Sequence, residues 1–82
     1  MGEVRVKLYG AFRNHFSEDE LRLELEEPAT VAVLKDRMGE LWPSLKPLLL
    51  ETAVAGDDEF LDSKRSLEGI HEVSLLPPVC GG

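Results

Sequence analysis

The sequence lacks most of what a self-sufficient enzyme or nucleic-acid binder needs. It has a single cysteine, so no internal disulfide can form, and a lone thiol fits a reducing cytosol. One cysteine cannot build a zinc site, and neither His15 nor His71 has a second ligand at metal spacing. Both histidines read as exposed turn residues. There is no block of Lys or Arg, and the formal net charge is −7. Nucleic acids and anionic membranes are gripped by basic patches, so neither is expected as a partner. A protein with a basic face suits better. The acidic stretches Glu18-Asp19-Glu20 and Asp57-Asp58-Glu59 read as solvated surface.

No apolar run is long enough to span a membrane, and nothing resembles a signal peptide. Two lipidation signals fail on inspection. Met1-Gly2 is followed by Val6 where myristoylation needs Ser or Thr, and Cys80 stands third from the end where prenylation needs the fourth. Repeats, linkers and low-complexity stretches are missing as well. The expectation is one soluble, cytoplasmic domain over residues 1–82. A chain of this size buries roughly 60% of its unfolded surface, which leaves little room for a deep pocket beside a core.

What is present is clear patterning. Glu3 to Tyr9 alternates, with Val4, Val6 and Leu8 on one side and Arg5, Lys7 and Tyr9 on the other, the mark of a half-buried strand. Glu20 to Glu26 repeats the pattern with Leu21, Leu23 and Leu25 inside. Gly10 to Asp19 joins the two as a loop or short turn anchored by Phe12 and Phe16, making an antiparallel hairpin. Thr30 can cap a helix starting at Val31. Val31, Leu34, Met38, Leu41 and Trp42 recur at helical spacing as a core stripe, with Lys35, Asp36, Arg37 and Glu40 on the wet side. Gly39 weakens the helix and Pro43 ends it. Ser44 to Leu50 reads as a connector, with Leu45 and Leu48 to Leu50 closing the core's end. Short strands are expected at Thr52 to Ala55 and Glu59 to Leu61, around a turn at Gly56-Asp57-Asp58. Leu67 drops back into the core. Glu72 to Leu76 is the last strand, with Val73 and Leu75 facing in and Ser74 and Leu76 facing out.

One helix across one face of a mixed sheet meets the two-layer requirement of a small domain. The order of elements places the last strand centrally and parallel to the first. The fold class is therefore α+β, a β-grasp (ubiquitin-like) sheet of four to five strands. After Leu76 the chain leaves this domain as a flexible tail over residues 77–82. Pro77 and Pro78 cannot extend the ladder and stiffen its base, and Gly81 and Gly82 carry no Cβ, so another protein's narrow groove could close on their backbone. The expectation is a tail that ends on the bare carboxylate of Gly82.

The residues now resemble a known family, the sulfur-carrier (MoaD) branch of the ubiquitin-like proteins, and most of all molybdopterin synthase small subunits. The resemblance spans nearly the whole chain. It is strongest at Glu72-Val73-Ser74-Leu75-Leu76-Pro77-Pro78-Val79 followed by Gly81-Gly82, where members typically read Asp-Glu-Val, a short apolar run, Pro-Pro-Val, one small residue and Gly-Gly. Leu8-Tyr9-Gly10-Ala11-Phe12-Arg13 resembles the family's first-strand ending, and Pro28-Ala29-Thr30-Val31 its helix entry. Ala53-Val54-Ala55-Gly56 falls where members carry a valine-rich strand and an Asn-Gly turn. There are three departures. The glycine of the last turn is displaced by one place, to Gly69; Ala55 replaces the common asparagine; and Cys80 holds the position usual for Ser, Thr or Ala.

The resemblance implies a mechanism in which other proteins do the catalysis. An E1-like adenylyltransferase would use ATP to activate Gly82, a sulfur donor protein would supply persulfide sulfur, and a C-terminal thiocarboxylate would result. The large subunit of molybdopterin synthase, in a heterotetramer, would then receive the sulfur for a pterin precursor. This chain would be the sulfur-donating subunit, bind no cofactor or metal and not be catalytic alone. Gly82 would carry the sulfur, Gly81 would give access, and Pro77, Pro78, Val79 and Cys80 would lie in the partner's groove. Tyr9 and Leu76, apolar residues on an otherwise polar sheet face, mark an interface, and Arg13 matches a family arginine beside it. Cys80 has two readings, a small residue in an extended arm or a thiol that exchanges with the thiocarboxylate or a persulfide; Cys80→Ser separates them. Carriers for thiamine, cysteine or tRNA thiolation share the fold and tail. A ubiquitin-like modifier joined to lysines through Gly82 is the alternative from another class.

Overall fold

The computed structural model describes residues 2–56 and 58–78. Strands β1 (Gly2–Leu8) and β2 (Glu20–Leu25) form the expected antiparallel hairpin. Val4, Val6, Leu8, Leu23 and Leu25 are buried, while Arg5, Arg22 and Glu24 are exposed. The segment between them is a short helix, α1 (Ala11–Phe16), rather than a loop. Its cause is visible at Phe12 and Phe16, four residues apart and so on one helical face. Phe12 is fully buried and Phe16 packs against the core. The helix stops at Ser17, whose left-handed backbone (φ 59°) lets its N–H donate to the Arg13 carbonyl.

Helix α2 (Val31–Leu41) starts at Thr30, which has an extended backbone and whose hydroxyl accepts the Val33 N–H at 3.3 Å. Val31, Leu34 and Met38 face the sheet and join one buried cluster with the strand residues. Two leucines expected in that core are not there. Leu41 is 42% exposed, because the chain after α2 folds back on the opposite side of the last turn. There Gly39 is buried, and a Cβ on it would lie 3.1 Å from the Lys46 side chain. Ser44 to Leu50 is itself helical, a 3₁₀ turn (Pro43–Leu45) followed by α3 (Lys46–Leu50). Leu45 and Leu49 point inward, so Leu50, one helical step on, points out and is 85% exposed. Trp42 is half-buried, edge-on to Phe16 with ring centroids 4.8 Å apart.

Strands β3 (Ala53–Gly56), β4 (Glu59–Leu61) and β5 (Glu72–Leu76) complete a five-stranded mixed sheet in the order β2-β1-β5-β3-β4. β5 lies parallel to β1 and antiparallel to β3. The central placement expected for the last strand is therefore observed. Thr52, expected as the first residue of β3, instead ends the preceding turn, with its hydroxyl donating to the Leu48 carbonyl at 2.7 Å. Leu67 and Ile70 close the end of the core. His71 is exposed in the turn before β5, whereas His15 is exposed on α1.

Candidate docking surface and the base of the tail

The helices contribute to the core on one face of the sheet, and among the described residues no helix or strand covers the other. Because Val73 and Leu75 are buried under α2, Ser74 and Leu76 face outward. Register then places neighbours beside them. Lys7 pairs with Ser74, Ser74 with Ala55, and Ala55 with Phe60, while Leu76 pairs with Ala53. Continuing the β1–β5 register past Leu8 and Leu75 sets Tyr9 next to Leu76. The pairing itself ends at Leu8 and Leu75, so Tyr9 and Leu76 stand at the same end of the sheet, where the tail leaves. Tyr9 is 43% exposed and Leu76 half-buried.

Phe60 belongs to the same surface and was not anticipated. At 72% exposed, it is an open aromatic beside Ala55. A signal for it exists in the sequence: in a three-residue strand whose Leu61 is buried, Phe60 must point to the other side. Tyr9, Leu76, Ala53, Ala55 and Phe60 give this half of the outer face an apolar character of the kind found at interfaces.

Gly10 links the surface to the tail. Its φ of 56° and ψ of −128° suit glycine, and a Cβ there would meet the Pro77 ring at 3.0 Å. The first tail proline therefore lies against the Gly10 backbone. Pro77 is half-buried and Pro78 exposed. Val79, Cys80, Gly81 and Gly82 lie outside the described residues.

Arg13 stands on α1 just after this contact; its backbone N–H donates to the Gly10 carbonyl at 3.0 Å. Its guanidinium is turned toward Asp19 at 2.8 Å, with both side chains well exposed. On the other side of the sheet, Lys35 Nζ donates to the Thr52 carbonyl at 2.7 Å. Thr52 adjoins Ala53, the partner of Leu76, so this ammonium sits beneath the same end of the sheet. Partial burial pushes its pKa below the usual lysine range. Among the described residues no group of three or more His, Cys, Asp or Glu could hold a metal ion, and no helix is long and apolar enough to cross a membrane. The arrangement places Pro77, the first residue after β5, at an exit beside an apolar face.

The ThiS family model matches residues 6–82, from the middle of β1 through the tail. The chain belongs to the ThiS family. No curated protein matches it at the sequence level. Among solved structures, SAMP1 from Haloferax volcanii is 21% identical, with a TM-score of 0.79 over 99% of this chain and all of that one. A putative molybdopterin converting factor subunit 1 from Pyrococcus furiosus is 21% identical, with a TM-score of 0.78 over 96% of this chain and all of that one. A chain from the complex of subunits 1 and 2 of molybdopterin-converting factor from Helicobacter pylori is 28% identical. It aligns with a TM-score of 0.63 over 98% of this chain and 99% of its own. The ThiS-family chain thus has the β-grasp fold of the ubiquitin-like sulfur carriers.

Proposed function

We propose that this ThiS-family chain is a cytoplasmic sulfur carrier whose Gly82 carboxylate is activated and converted to a thiocarboxylate, and that it serves as the small subunit of a molybdopterin synthase. The observation that carries the reading is a family match that runs through Gly82, joined to a tail whose base is held against Gly10. A carboxylate is a poor electrophile, because its charge repels nucleophiles and oxide is a hopeless leaving group. An E1-like partner would join it to AMP from ATP, releasing pyrophosphate. A persulfide on a sulfur donor protein would then attack the acyl carbon and expel AMP. A thiol reductant would cleave the resulting acyl disulfide, leaving the thiocarboxylate on Gly82. Its softer sulfur can attack an electrophilic carbon of a cyclic pterin precursor in the large subunit. Similarity to a chain of the Helicobacter pylori subunit 1 and 2 complex supports a large-subunit partner of that kind.

In this reading Tyr9, Leu76 and Phe60 dock the partners in turn, while Pro77 and Pro78 aim the tail. Intact-mass analysis of the chain incubated with its activating enzyme, ATP and a sulfur donor tests it. The expected product is heavier by the exchange of one oxygen for sulfur, and deletion of Gly82 abolishes the change. Addition of a pterin-binding large subunit and precursor should return the original mass. Conjugates carrying Gly-Gly on lysine, with no sulfur exchange, would point to a protein modifier instead.

A further inference from the structure

We propose that the free edge of β2 is a docking site for an extended basic segment of a partner protein, which adds to the sheet as a further strand. β2 is the last strand on its side of the sheet. The Leu8 N–H donates to the Asp19 carbonyl at 2.8 Å, which fixes the phase of the antiparallel ladder. Leu21, Leu23 and Leu25 therefore spend their backbone groups on β1, and those of Glu20, Arg22 and Glu24 point to the open edge. No loop or helix bonds to them among the described residues. The strand has six residues in unbroken register, with neither a proline nor a bulge to blunt it. Its protection is charge alone.

That charge has one dominant sign and borders a groove. Between α2 and β2 runs a groove of about 430 Å³ with Leu25 and the exposed Val33 in its lining. Four carboxylates, Glu24, Glu26, Asp36 and Glu40, line it against one guanidinium, Arg37. Arg37 already faces Glu40 at 3.7 Å. A second copy of this chain would bring the same acidic edge and be repelled. A segment alternating basic and apolar residues would not. Its cations would meet Glu20 and Glu24 on the strand and Glu26, Asp36 and Glu40 along the groove, while its apolar side chains covered the exposed Val33. Arg22, the only cation in β2, rejects a like charge opposite it and so helps set the register. β1 stands between this edge and β5, so the edge can be occupied while the tail is engaged elsewhere. The inference does not depend on the sulfur-carrier reading.

The probes are a synthetic peptide of alternating Arg and Val, the Glu–Val peptide of the same length, and the Arg–Val peptide N-methylated on alternate residues. Each is titrated into the labelled protein, with amide shifts and hydrogen exchange followed by NMR. The Arg–Val peptide should move and protect the amides of Arg22 and Glu24 and leave Phe60 unmoved. The Glu–Val peptide should do neither, and N-methylation should weaken binding about tenfold. Glu24→Lys combined with Glu26→Lys, both at exposed positions, should weaken it by about as much. The proposal is overturned if the β2 amides show no protection, if shifts scatter over the acidic surface, or if the methylated peptide binds equally well.

Discussion

The outer face of the sheet is divided between two halves built on the same pleat. On β2 and β1 the outward side chains are Glu20, Arg22 and Glu24 opposite Lys7, Arg5 and Glu3, and Arg5 reaches across to Glu72 at 3.6 Å. On β5 they run from Glu72 through Ser74 to Leu76, and on β3 and β4 they are Ala53, Ala55 and Phe60, so this half turns apolar toward the end where the tail leaves. Nothing in the backbone requires this difference, since both halves cover the same core on their inner side. Solvent favours the charged half everywhere, whereas the apolar half is exposed at a cost in hydration, as surfaces that partners cover often are. The tail leaves at the seam between the two, where β1 and β5 run parallel. The contrast suggests a division in which the apolar half docks and the charged half keeps the rest of the sheet from pairing with the wrong surface.

The largest expected effect breaks or confirms that division directly. Phe60→Asp should slow thiocarboxylate formation by the activating enzyme about ten- to a hundredfold, roughly 1.4–2.8 kcal/mol, as a buried aromatic anchor does. Its stability in urea should stay within about 0.5 kcal/mol of the parent, because Phe60 is outside the core. Lys7→Gln, in the same cross-strand row but at its far end in the charged half, should change the rate less than about twofold. Equal effects from the two substitutions would erase the distinction between the halves.

How far the surface could be read before the structure depended on the length of each pattern. β1, β2, α2 and β5 carry enough alternation or helical spacing to define both the element and its buried side. α1 has only six residues, and the Phe12–Phe16 spacing competes with the loop-forming Gly10 and Ser17. Leu41 and Leu50 were misassigned because spacing tells which side chains share a face, not what covers it; the connector covers Gly39 and leaves both leucines out. Tyr9 and Leu76 were legible from phase alone. Phe60 was hidden by the brevity of β4, and the Gly10–Pro77 contact by distance along the chain, since only the parallel pairing of β1 and β5 brings those residues together.

That contact gives the next effect in size. Gly10→Ala forces a side chain into a left-handed backbone and against Pro77, and should cost about 1–2 kcal/mol in denaturant unfolding. It should also slow tail activation by shifting the exit. Adding Pro77→Ala removes the clash but leaves the backbone strain, so the double variant should recover activation more than stability. Equal recovery of both would mean the proline contact does not aim the tail. A smaller effect is expected at the Arg13–Asp19 pair. Both side chains are well exposed, so a double-mutant cycle with Arg13→Gln and Asp19→Asn should yield about 0.2–1 kcal/mol, fading in salt. Activation should fall for Arg13→Gln and hold for Asp19→Asn if the guanidinium serves a partner.

The smallest effect lies beneath the seam, on the helix side, and asks whether the docking end of the sheet is tied down from below. Lys35 is held on the Thr52 carbonyl, and burial lowers its pKa in the folded state. Unfolded, it titrates at the ordinary lysine value. At neutral pH it is charged in both states, and the folded state bears the desolvation penalty. As pH rises through the lowered folded pKa, the native protein releases this proton before the unfolded chain does. The unfolded state then binds more protons, so stability rises with pH in that window and levels off above the unfolded value. Urea unfolding from neutral to strongly alkaline pH, compared with Lys35→Met, checks the sign: the parent should gain stability relative to the variant as pH increases. A constant difference between the two would mean the ammonium is not held in its half-buried place, and the end of the sheet that carries Leu76 and the tail would then have lost one of its anchors.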